Sequence, residues 1–117
     1  MRIPLIAGNW KMNKTVTEAV TLVQELLPLV AEYKRVELVV CPPYTALAAV
    51  SRELEGTEIA LGAQDLFWAD QGAYTGEISA AMLADVGATY VIVGHSERRA
   101  HQQESDDLIA KKLESAF

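Results

Sequence analysis

Four short apolar runs, at residues 3–8, 36–41, 58–63 and 89–94, each give way to a polar exit and then to a segment of helical period. A strand-then-helix unit repeated four times predicts a parallel sheet joined by right-handed crossovers. Two architectures satisfy that pattern: a small doubly wound open sheet of flavodoxin type, or four of the eight units of a (β/α)₈ barrel. In both, the carboxyl ends of the strands share one rim, where ligands bind. The repeat alone leaves the choice open.

The units can be read in order. The first strand, 3–8, carries Pro4 near its start, where a missing N–H does least harm. After an exit loop over 8–13, Thr15 and Glu18 have capping-box spacing, and Ala19, Val20, Val23, Leu26, Leu27 and Val30 repeat on one helical face. Pro28 argues for a kink or an early stop between Leu27 and Glu32. The second strand, 36–41, is closed by Pro42 and Pro43, and the next helix presents Leu47, Val50 and Leu54 before Gly56 ends it. The third strand, 58–63, exits through Gln64 and Asp65. The longest irregular stretch, 66–79, holds Phe67, Trp68 and Tyr74, and loops of that length in compact domains are usually functional or bound. Ser79 caps a short helix with Met82, Leu83 and Val86 inward and Gly87 at its end. A fourth strand, 89–94, runs straight into His95-Ser96-Glu97-Arg98-Arg99. Ser105 then caps a last helix whose Asp106, Asp107, Lys111 and Lys112 match the helix dipole. With no linker in view, residues 1–117 read as a single domain.

Charge narrows the partners. Sixteen acidic against ten basic side chains give a net charge of -6, a field that repels nucleic acid and anionic membranes. A bound phosphate must be met by a few local cations. No stretch reaches the roughly 18 apolar residues that span a bilayer, and the first residues lack the layout of a signal peptide, so a cytoplasmic protein is expected. The single Cys41 reads as a buried reduced thiol. Zinc-site spacing, a Gly-rich phosphate loop and a G-x-S-x-G setting for Ser96 are all missing. A phosphorylated receiver domain would want acids at the first and third strand exits, and Asn9 with Lys11 is the wrong chemistry for its magnesium ion.

What the exits do carry is Asn9 and Lys11 on the first strand, Gln64 and Asp65 on the third, and His95, Ser96 and Glu97 on the fourth. One rim would gather a cation, an amide and an imidazole. Gly94 before His95 and a turn over 96–98 after it place the ring near a helix N-terminus, which disfavours the imidazolium and supports a neutral, donating imidazole. His101, in a polar run, reads as surface.

Three segments, Ala7-Gly8-Asn9-Trp10-Lys11-Met12-Asn13, Gly72-Ala73-Tyr74-Thr75-Gly76-Glu77-Ile78-Ser79 and Tyr90-Val91-Ile92-Val93-Gly94-His95-Ser96-Glu97-Arg98-Arg99, closely resemble the triosephosphate isomerase family in order and spacing. The resemblance covers the whole chain but only the amino-terminal half of that enzyme. It selects the barrel: four βα units with parallel strands, half of a TIM (β/α)₈ barrel. It implies catalytic roles for Lys11, as the cation for the substrate phosphate and the developing oxyanion, and for His95, as the electrophile. Asn9 would orient the substrate, with Ser96 and Glu97 behind the ring and the lysine. The loop 71–78 would project into a neighbouring subunit, placing Thr75 near that subunit's site and Met12 in the pocket around the loop. Arg98 and Glu104 would form a structural ion pair.

The implied chemistry uses a triose phosphate substrate, no cofactor and no metal. The family's glutamate base, mobile lid and glycine-rich phosphate cradle come from later strands, outside these 117 residues. The 117 residues alone are therefore expected to isomerise negligibly. A half-barrel with two open edges and an apolar inner face is expected to self-associate or to pair with a C-terminal half-barrel. The competing reading is a non-catalytic folding and assembly unit, or a weak phosphate-binding scaffold.

Overall fold

The computed structural model describes residues 2–117, and within them strands and helices alternate from the start. In chain order they are β1 (Leu5–Asn9), α1 (Val16–Val30), β2 (Glu37–Cys41), α2 (Tyr44–Leu54), β3 (Ala60–Ala63), α3 (Ala80–Asp85), β4 (Ala88–Val91), α4 (Ser96–His101) and α5 (Asp106–Ala116). All strand pairs are parallel, and the spatial order is β1-β2-β3-β4, the same as the order along the chain. A doubly wound sheet reverses its strand order at a switch point; this one never does, as an arc of a barrel requires.

Local signals explain most boundaries. The capping box at α1 is formed: the Glu18 N–H donates to Thr15 Oγ1 at 3.4 Å and the Thr15 N–H to Glu18 Oε1 at 2.9 Å. α1 runs two residues past Pro28 and ends at Val30, inside the expected window between Leu27 and Glu32. Pro28 and Gln24 both lie on the exposed face, so the Gln24 carbonyl left without an intrahelical donor can turn to water. The fourth strand is shorter than its apolar run. Pairing persists through the Ile92 N–H, which donates to the Ala63 carbonyl at 2.9 Å, and then Gly94, at φ +68°, turns the chain away. In α3 the expected inward Met82 is half exposed, because so short a helix buries only the line through Leu83 and Val86.

The core lies between one face of the sheet and the helices. Val40, Leu61 and Ala63 meet Ala19 and Val23 of α1, and Ala46, Leu47 and Val50 of α2 close the layer. Alternate residues Glu37, Val39 and Cys41 point to the other face, the inside of the barrel. That face is lined by small and apolar side chains, with one polar contact between side chains among the described residues. Its small residues Ala7 and Ala60 both pair with Val39, and the Tyr90 hydroxyl donates to Glu37 Oε2 at 3.0 Å. Gly62 makes room for this: a Cβ there would lie 2.6 Å from Cys41 Sγ and 3.4 Å from Tyr90 Cβ. The free edge at β1 does expose apolar side chains, Leu5 at 50% and Ile6 at 57%.

Candidate functional site

The exit of β1 turns sharply. Lys11 has φ +56°, in the left-handed region that residues with a side chain rarely adopt. Its peptide groups are held on both sides, the N–H donating to Asn9 Oδ1 at 3.0 Å and the carbonyl accepting from Gln64 Nε2 at 2.8 Å. The side chain then crosses the rim, bringing Nζ to 2.6 Å from Glu97 Oε1. Bonding to that ammonium holds the Glu97 carboxyl below the usual carboxylate range.

His95 lies at the opposite end of the rim, and it does more than sit near a helix N-terminus. It is the N-cap of α4, its Nδ1 accepting the Glu97 N–H at 3.1 Å while its carbonyl accepts from the Arg98 and Arg99 N–H groups at 2.9 and 3.1 Å. A nitrogen that accepts a backbone N–H carries no proton of its own, so the neutral ring has its hydrogen on Nε2. Glu97 Oε2 approaches Nδ1 only to 3.8 Å, beyond hydrogen-bond length, and its partner oxygen is committed to Lys11. Glu97 thus serves both groups, through its backbone to the ring and through its carboxylate to the lysine. Ser96 opens α4 on its exposed side, and among the described residues its hydroxyl has no hydrogen bond to either group.

Behind α4 lies a buried ionic cluster of which the sequence revealed only a part. The expected pair is present, with Arg98 Nε 2.8 Å from Glu104 Oε2. Asp65, at the β3 exit, joins it: its Oδ2 is 3.2 Å from Arg98 Nε and its Oδ1 2.8 Å from Lys112 Nζ. Lys112 also bonds Glu104. Far from decorating the end of a helix dipole, Lys112 is 3% exposed. Its spacing was the missed signal, since three and four residues after Ile109 and Leu108 it falls on the packed face of α5, where a cation needs carboxylates. Burial pushes the Glu104 carboxyl up, but the hydrogen bonds and charges of Lys112 and Arg98 outweigh it and hold the group below the usual range. At the same strand exit the Tyr44 hydroxyl donates to the Asp65 carbonyl at 2.5 Å. Burial, reinforced by the nearby Asp65 charge, pushes that phenol strongly up.

A cleft of about 390 Å³ gathers these exits, lined by Asn9, Lys11, Gln64, Asp65, His95 and Glu97 among others. His101, read from sequence as plain surface, is exposed yet also borders the cleft. Met12 stands on its edge with its side chain almost wholly exposed. Thr75 is exposed in the 66–79 loop and does not line the cleft. That loop is organised by Phe67, which stacks on Trp68 at 3.9 Å and leans on Tyr74 at 4.6 Å, and Lys111 sits 5.2 Å over the Trp68 ring. Among the described residues no cluster of His, Cys, Asp and Glu is arranged to hold a metal ion, and no helix is long and apolar enough to cross a membrane. An ammonium, a carboxamide and a neutral N–H donor around one cleft can bind an anionic group and polarise a carbonyl oxygen.

The chain is similar to known proteins along its whole length. The family model described as triosephosphate isomerase matches residues 4–117. A triosephosphate isomerase of Caldanaerobacter subterraneus is 57% identical over all 117 residues, which amount to 47% of that protein. Those of Moorella thermoacetica and Chloroflexus aurantiacus are each 56% identical, with the same coverage. The crystal structure of triosephosphate isomerase from Bartonella henselae superposes with a TM-score of 0.91 at 42% identity, covering 98% of this chain and 47% of that one. The chain spans about half the length of the curated relatives it matches.

Proposed function

Because the chain belongs to the triosephosphate isomerase family, we propose that its 117 residues supply the phosphate-binding and electrophilic wall of a site that interconverts dihydroxyacetone phosphate and glyceraldehyde 3-phosphate. The reading rests on one observation above all: the Nδ1 of His95 is engaged by the Glu97 N–H, which leaves Nε2 as the donor.

In this mechanism Lys11 and Asn9 receive the substrate, the ammonium compensating the phosphate charge that the protein's net charge of -6 would otherwise oppose. A base then removes a proton from the carbon beside the carbonyl, and negative charge grows on the carbonyl oxygen as the enediolate forms. His95 donates its Nε2–H to that oxygen. A neutral donor stabilises the developing charge without giving up its proton outright. Glu97 is not the base, because its carboxylate is anchored on Lys11; the base comes from the family's later strands, outside these 117 residues. Thr75 and Met12 serve contacts between subunits, and the chain acts as one domain whose open β1 edge is covered by a C-terminal half-barrel or by another copy.

The test is reconstitution. The 117 residues are assayed alone and after mixing with the carboxyl-terminal half of the Caldanaerobacter subterraneus relative. Negligible turnover alone and restored isomerase activity in the mixture, abolished by His95→Ala or Lys11→Ala, is the expected result. Turnover by the chain alone within tenfold of a whole enzyme would overturn the reading, and a mixture that stays inactive would favour the non-catalytic scaffold.

A further inference from the structure

Lys11 is asked to do its work from a backbone conformation that disfavours it. A residue with a side chain held at a positive φ persists only where its surroundings over-determine it. The N–H side of Lys11 is restrained by its near neighbour Asn9. The carbonyl side is restrained by a residue 53 positions away, Gln64 at the exit of β3. The same Gln64 nitrogen donates at 2.8 Å to the carbonyl of Cys41, the last residue of β2. A carboxamide nitrogen has two hydrogens, and here each finds one acceptor. The Cys41 carbonyl also accepts the Trp10 N–H at 3.1 Å, so it is a fixed point at the end of the sheet.

We propose that Gln64 is a positioning residue for Lys11, stapling the carbonyl of the left-handed lysine to the end of β2 so that its ammonium is held over the cleft against Glu97. The functional weight of this rests on the reading of Lys11 as the phosphate-binding cation; the geometric claim does not. Without the staple the Lys11 peptide is free to leave φ +56°, and Nζ loses its fixed place 2.6 Å from Glu97. No other side chain type of similar size offers two donors and no charge at this spot. Glutamate would aim carboxylate oxygens at two carbonyls, and methionine would offer nothing.

The experiment is NMR on the 117-residue chain, so it does not depend on catalysis. Two signals are followed, the one-bond Cα–Hα coupling of Lys11, which reports a positive φ, and the pH titration of the Glu97 side-chain carboxyl carbon. The wild-type chain should show a left-handed Lys11 and a Glu97 midpoint below the ordinary carboxylate value. In Gln64→Met and Gln64→Glu the Lys11 coupling should move to that of a flexible chain and the Glu97 midpoint should rise toward its ordinary value. Tyr44→Phe, which removes a hydrogen bond to the Asp65 carbonyl at the same strand exit, should move neither signal. An extended or helical Lys11 in the wild-type chain overturns the proposal even if no variant folds, as do Gln64 variants that leave both signals unchanged. In the reconstituted enzyme Gln64→Met should raise the KM for glyceraldehyde 3-phosphate at least tenfold with a smaller change in kcat. A mixture inactive with the wild-type chain would count against the function and leave the NMR result to judge Gln64.

Discussion

The backbone N–H of Glu97 donates to Nδ1 of His95 at 3.1 Å while the Glu97 carboxylate lies 2.6 Å from the ammonium of Lys11. One residue therefore sets the tautomer of the imidazole and the place of the cation. Only the second of these depends on its side chain. Glu97→Gln should accordingly leave the His95 tautomer unchanged while releasing Lys11. The reconstituted enzyme should lose activity at least severalfold, and the urea midpoint of the chain should hardly move, since the pair is half exposed. Parallel activity and unfolding measurements check this; a large fall in the midpoint would mean that the residue is structural.

The cluster behind α4 should behave in the opposite way. Lys112 is buried between Asp65 and Glu104, and Lys112→Ala would leave two carboxylates with Arg98 alone. Removing one partner of a buried ionic group costs about 3–5 kcal/mol, enough to unfold much of a marginally stable chain. Urea titration followed by far-ultraviolet circular dichroism measures the loss, and a cost comparable to that of a surface lysine would contradict the assignment.

The same cluster sets a pH dependence. Burial raises the Glu104 carboxyl, but Lys112 and Arg98 bring it below its ordinary value of 4.5 in the folded chain. A group whose folded pKa is depressed contributes its stability above the unfolded pKa and loses it as the pH falls through the folded one. The urea midpoint should thus be flat near neutrality and fall below about pH 4.5, where unfolded carboxylates begin to take up protons. In Glu104→Gln the curve should start lower and slope less across that acid range; an unchanged slope would show that Glu104 is not the group responsible.

On the inner face, Gly62 is the contact point between β2 and Tyr90. A methyl group placed there would meet Cys41 Sγ at 2.6 Å and Val39 Cγ1 at 3.0 Å. Gly62→Ala should destabilise the chain by about 1–3 kcal/mol through overpacking. It should also break the Tyr90–Glu37 hydrogen bond, which is visible as a shift of the Tyr90 phenol titration downward, because that bond to Glu37 is what raises it. Wild-type stability with an unchanged phenol would refute the packing account.

Much of this was legible in the residues. The four apolar runs mark the strands, Thr15 with Glu18 marks the start of α1, and the rim position of Asn9, Lys11 and His95 follows from their places after apolar segments. Strand order was not legible from the repeat, because a doubly wound sheet has the same alternation; the order β1-β2-β3-β4 decides it in space. The start of α4 is legible as the turn after His95, but its extent to His101 is not: Ser96 to His101 has no apolar stripe, and the helix is held by its His95 cap and by Arg98. Long-range polar contacts were hidden in the same way. Gln64 and Lys112 have partners 53 and 47 positions distant, and no local period announces such pairs. Met82 was misplaced because the helical period gives a face but not how much sheet is available to cover it.

His95 turns Nε2–H toward the substrate because its Nδ1 is occupied by the Glu97 amide, and nitrogen-15 NMR of the neutral imidazole in the 117-residue chain reads that tautomer. The expected result is a protonated Nε2 and a bare Nδ1 that is coupled through its hydrogen bond to the Glu97 amide. A neutral ring that carries its hydrogen on Nδ1 would overturn the role given to His95.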